Sequence, residues 1–74
     1  MRRLGTVVRT AGGIAVVRSP DESYQAIGTP VVDEELSTVG RVVDVFGPVS
    51  RPYLAVVPDG RTPASLLNER LYVR

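Results

Sequence analysis

Apolar residues recur along the chain as short β-branched bursts. Val7-Val8, Val16-Val17, Val31-Val32, Val42-Val43 and Val56-Val57 each sit between glycine, proline or acidic residues. Runs of this kind bounded by turn residues are the signature of strands, and no helix-length periodicity competes with them. The pattern predicts strands over Leu4–Thr10, Ile14–Arg18, Pro30–Asp33, Val39–Phe46, Pro52–Val57 and Arg70–Arg74. Ala11-Gly12-Gly13 supplies the positive φ of a tight hairpin. Ser19 to Gly28 is the longest irregular stretch and reads as a surface loop containing Tyr24. Asp33-Glu34-Glu35 reads as a solvated acidic turn, and Arg61 to Leu67 carries about one helical turn. Side chains alternate along a strand, so each Val-Val pair is expected to send one valine inward and one outward. Gly40 inside a strand pattern marks a bulge or bend. A strand at the end of the chain must be tied into a sheet, and pairing it with an early strand closes the sheet. The expected fold is all-β, a small six-stranded barrel.

The pattern centres on Val39 to Val57, VGRVVDVFGPVSRPYLAVV. Two apolar segments flank a break of Gly47, Pro48, Val49, Ser50 and Arg51, and Pro52 opens the second segment. Most hairpin loops are polar, whereas this one is apolar and rich in proline. Proline fixes its own φ and restricts the residue before it, so Gly47 and Arg51 are held out of the helical region. Val45, Phe46, Val49 and Tyr53 are the candidate docking patch. Gly47, Pro48 and Pro52 would keep it rigid, and Arg51 would lie at its rim. The rings of Phe46 and Tyr53 have two placements open to them, outward as a docking surface or folded back onto the core.

The run DVFGPVSRPYLAV from Asp44 to Val56, preceded by VGRVVDV and by IGTPVVDEEL from Ile27 to Leu36, resembles the glycine-arginine-rich-protein family of H/ACA ribonucleoproteins. The likeness is to the short archaeal form, the core domain alone, and extends from Arg3-Leu4-Gly5 to Leu71-Tyr72-Val73. FGPV followed closely by PY is its most specific part. The resemblance implies a Greek-key barrel of the kind found in translation-factor β domains. It also implies a non-catalytic subunit that binds the catalytic domain of a dyskerin-like pseudouridine synthase, away from the guide RNA. There it would hold a mobile active-site loop open and ease the loading and release of substrate RNA. The glycine- and arginine-rich tails of eukaryotic members are absent from this sequence, so no tail-borne RNA affinity is carried over. A related assembly chaperone of the same fold would carry longer flanking segments.

Composition narrows the alternatives. The 74 residues suit one domain over 1–74, and a chain this short buries only roughly 60% of its unfolded surface. Cysteine and histidine are absent, which removes disulfides as staples and leaves no expected metal or cofactor. A closed sheet and a covering partner remain as ways to hold the fold. Self-association of the isolated protein is expected if the patch lies uncovered.

Nucleophilic catalysis would need an activated cysteine, serine or lysine beside a base, and lysine is also absent. Asp33 and Asp44 could meet across neighbouring strands, but without a pocket they read as solvated acids, and no enzyme is expected. Nine basic and eight acidic residues are interleaved, which is not the footprint of a protein devoted to phosphate neutralisation. The alternative function is a small barrel contacting RNA directly, with Arg2, Arg3, Arg41 and Arg51 supplying charge. Arg41 and Arg51 would lie on one side of the central hairpin, covering apolar surface or pairing with Asp44 and the acidic turn. No charged start followed by a long apolar run is present, so a cytoplasmic protein without a membrane span is expected.

Overall fold

The structure, a computed structural model, describes residues 2–20 and 27–74. The loop reading of Asp21 to Gln25, with Tyr24, lies outside the described residues. The elements run β1 (Arg2–Ala11), β2 (Ile14–Arg18), β3 (Pro30–Val32), β4 (Thr38–Phe46), β5 (Tyr53–Pro58), a 3-10 turn η1 (Pro63–Leu66) and β6 (Arg70–Val73). Every pairing is antiparallel, and the order β1-β2-β5-β4-β3-β6 closes on itself through β6 and β1. The strands β3, β4 and β5 follow one another as hairpins, and β6 returns beside β3. That is the Greek-key arrangement. The sheet has closed where the terminal strand was expected to close it.

Closure of so small a barrel demands local breaks in register. The pairing shifts between Arg3 and Gly5 and between Val7 and Arg9 on β1, and between Val42 and Asp44 on β4. Bulges increase twist and bend the strand, which a narrow cylinder requires. Gly12 and Gly13 take φ of 55° and 82°, the positive-φ pair of a tight hairpin. At Gly40 the need is for close approach, because a Cβ there would lie 2.0 Å from the carbonyl oxygen of Val57.

The interior is purely aliphatic. Leu4, Val7, Ala15, Val17, Val31, Val39, Val42, Leu54, Val56, Leu66, Leu71 and Val73 form one buried cluster. Leu66 comes from η1, which packs against β1 and β2 and adds a leucine to the barrel core. The backbone N–H of Asn68 donates to the Val7 carbonyl and that of Val7 to the Glu69 carbonyl, tying the approach to β6 onto the β1 bulge.

Four expectations need correction or refinement. The one-in, one-out rule holds for Val7-Val8, Val42-Val43 and Val56-Val57, but Val16-Val17 and Val31-Val32 are buried at both positions. Alternation is not broken there: Val16 and Val32 lie outside the interior cluster, and their neighbours Ala55 and Tyr72 on adjacent strands help shield them. The acidic turn is likewise not uniformly solvated. Asp33 is 8% exposed, and its Oδ1 accepts from the backbone N–H of Glu35 at 2.9 Å and of Ser37 at 3.0 Å. Its Oδ2 accepts from Arg61 Nη2 at 2.7 Å. Arg61, not Arg41 or Arg51, is the cation that meets the acidic turn. Asp33 and Asp44 do not meet, since Asp33 sits beside Ser37 before β4 begins and Asp44 lies toward its far end, opposite Ala55.

Candidate functional site

The far end of β4 carries the feature that distinguishes this surface. The β4–β5 register places Phe46 opposite Tyr53, and the β2–β5 register places Arg18 opposite Tyr53 on the other side. Directly paired residues project from the same face, so all three stand together outside the barrel. The rings of Phe46 and Tyr53 stack with centroids 5.6 Å apart at 22°. The Arg18 guanidinium lies over the Tyr53 ring, 5.4 Å from its centroid. Because β5 runs between β4 and β2, Phe46 and Arg18 reach Tyr53 from opposite sides. Gly47 fits against the same ring, where a Cβ would come within 2.7 Å of Tyr53 Cδ2, and it takes φ of 88°.

The residues singled out from the sequence divide by where they point. Phe46 is 38% exposed and Val49 87% exposed, while Tyr53 is half-buried. Gly47, Pro48 and Arg51 are exposed. Val45 is different: it pairs with Leu54 and packs against the aliphatic core, so its place in the outward patch is corrected. Pro52 is buried, and its carbonyl accepts the backbone N–H of Ser19 at 3.0 Å, which anchors the loop to the end of β2. Arg51 Nε approaches the Ser19 carbonyl at 3.4 Å rather than Asp44, whose Oδ1 accepts the N–H of Val45.

Arg18 escaped the sequence reading. Its proximity to Tyr53 depends on β2 pairing with β5 across the chain, and no local pattern announces that. Further along the outer face of β4 and β5, Val43 and Val57 are exposed and border a shallow groove with Pro30, Arg41 and Asp59. Between that groove and the loop, the outer face carries Asp44 opposite Ala55. At the opposite end of β4, the hydrogen bond from Arg61 holds the Asp33 carboxyl below the usual aspartate range. Desolvation opposes this, and the N–H groups of Ser37 and Glu35 reinforce it.

A closed barrel with an aliphatic interior and an outward cluster of rings, arginine and apolar loop belongs to the class of small binding barrels. More particularly, the chain matches the model of the Gar1/Naf1 RNA binding region over residues 1–73, and it belongs to that family. This is a family of RNA-binding, ribonucleoprotein-associated accessory proteins rather than of enzymes. A curated protein of Methanothermobacter thermautotrophicus, described as an uncharacterized protein, is 29% identical over 58 residues. That match covers 78% of this chain and 62% of the relative, so the chain spans less than two-thirds of that protein's length. No helix among the described residues is long and apolar enough to cross a membrane.

Proposed function

We propose that this chain is a non-catalytic subunit of an H/ACA-type guide ribonucleoprotein. It docks through the outer face around Phe46, Gly47, Val49 and Tyr53 onto the catalytic domain of a pseudouridine synthase and promotes loading and release of substrate RNA. One observation carries the reading: Phe46 and Tyr53 are stacked on the outside beside a nearly fully exposed Val49, while aliphatic side chains alone fill the core. Large rings left outside a small barrel, on a loop stiffened by two prolines, give a partner area to bury at low ordering cost. Family membership supports the ribonucleoprotein setting.

The test is a pull-down and titration with purified synthase. Phe46→Ala is expected to weaken binding by about 2 kcal/mol or more, roughly thirty-fold, with the barrel still folded by circular dichroism. Binding equal to wild type by a folded Phe46→Ala variant would remove the assignment. The same exposed patch leads to self-association of the isolated protein, which sedimentation at rising concentration reads directly.

Direct RNA contact is the competing reading, and the family description favours it. Single-strand readers offer open ring faces to bases. Here the Tyr53 ring is already engaged by the Phe46 stack and by the Arg18 guanidinium, so it is not an open platform. An RNA reader would retain guide RNA without the synthase and lose it steeply with added salt.

A further inference from the structure

Arg18 is held in an unusual way. Its Nε is sealed from solvent with no hydrogen-bond acceptor in reach, and the guanidinium is positioned by the Tyr53 ring instead. Among the described residues the ion pair joins Arg61 to Asp33, at the other end of β4, and none of their carboxylates pairs with Arg18. A half-buried guanidinium without a counter-ion is costly, because a desolvated donor forfeits its bonds to water without a protein replacement. The cation–π contact offsets part of that cost and fixes the plane of the group. Resting on the docking reading above, we propose that Arg18 is the electrostatic anchor of the interface and that it receives an acidic side chain of the protein partner.

The chemistry favours a carboxylate. The guanidinium fork matches the two oxygens of an aspartate or glutamate, and a charge-assisted pair is strongest where water is excluded, as beneath a docked protein. The surroundings supply that exclusion: the Phe46–Tyr53 stack lies on one side, and on the other Thr6 pairs directly with Arg18 across β1. A phosphate backbone would instead call for a track of cations, and the arginines of this nearly neutral chain are dispersed. Arg51, close to the Ser19 carbonyl, stands at the same rim and adds to the local positive field without sharing the sealed position.

The experiment titrates purified synthase with wild type, Arg18→Gln, Arg18→Lys and Phe46→Ala at low and high salt, with folding checked by Tm. Since Nε makes no hydrogen bond in the protein, Arg18→Gln is expected to fold. It should bind about ten-fold or more weakly, with a flatter salt dependence than wild type. Arg18→Lys, which keeps the charge but not the fork, should fall between. Arginine side-chain NMR of the wild-type complex should show the signals of the Arg18 terminal guanidinium N–H groups, the part of the fork a partner can reach, displaced. If both Arg18 variants bind like wild type while Phe46→Ala does not, the carboxylate anchor is overturned and the docking reading stands. If wild type fails to bind synthase but retains guide RNA in an Arg18-dependent way, both are overturned, and the guanidinium serves phosphate.

Discussion

The two ends of β4 solve opposite problems. Where the strand begins, the Asp33–Ser37 turn is closed by its own chemistry: Asp33 takes two backbone N–H groups and the Arg61 guanidinium, so its carboxylate is matched within the chain. Where the strand ends, the loop from Gly47 to Arg51 is apolar, Val49 projects into solvent, and Arg18 nearby keeps an unmatched donor. One turn is satisfied within the chain, and the other is stiff but incomplete. Stability and binding are thereby assigned to different ends of one strand, and substitutions at each end separate them.

Each end also contains a tightly fitted glycine. A Cβ at Gly40 would meet the Val57 carbonyl oxygen at 2.0 Å and its carbon at 2.8 Å, both backbone atoms of the paired strand. The barrel has no free edge along which β5 could retreat, so Gly40→Ala is expected to cost about 3 kcal/mol. Urea unfolding measures it, and a loss below about 0.5 kcal/mol would show that β5 yields. Gly47→Ala meets only the edge of the Tyr53 ring but must hold a positive φ, a strain of roughly 1–2 kcal/mol. The variant should remain folded and bind synthase less well, because the ring it displaces is part of the stack.

Asp33 ranks next. Its folded pKa is lowered, chiefly by the hydrogen bond from Arg61, so it contributes stability that is fully present above the unfolded aspartate value of about 3.9. That contribution is lost as pH falls through the lower folded pKa. Asp33→Asn keeps an acceptor for the turn and removes the charge. It should lower Tm modestly near neutrality, less than Gly40→Ala does, because solvent reaches the pair and screens it. Thermal melts of both proteins should converge as the pH falls through the lowered folded pKa of Asp33. A constant Tm gap across the acid range would show that the charge contributes nothing. Synthase binding should be unchanged.

Both ends were unequally legible in the sequence. The strands could be read because Val-Val bursts and Gly, Pro and Asp breaks are local signals, and even the closure by the terminal strand follows from the cost of a frayed edge. The FGPV–PY loop was legible as unusual for the same reason. Three matters were not. Val45 turned inward because the bulge after Val42 resets which face each residue takes, and bulges depend on barrel curvature rather than on neighbours in sequence. Asp33 found Arg61 across 28 positions, and Arg18 found Tyr53 through a strand pairing of similar reach. Contacts of this kind are products of topology, so composition could name the residue types but not match them.

Val49 gives the finest separation of the two ends. At 87% exposure it can contribute almost nothing to the isolated fold, and Val49→Ser should change stability by no more than about 0.5 kcal/mol. If the loop is a docking element, the same substitution should still weaken synthase binding, because the apolar surface it removes is buried only in the complex. A serine in place of Leu36, which is 47% exposed on the closed end, should leave binding untouched although Leu36 is also an exposed apolar residue. Leu36 takes φ of 66°, which already strains a leucine, so its replacement carries little penalty of its own. Equal binding losses from the two substitutions would mean that the partner covers both ends of β4 and that exposed apolar area alone, rather than the preset aromatic bend, governs docking.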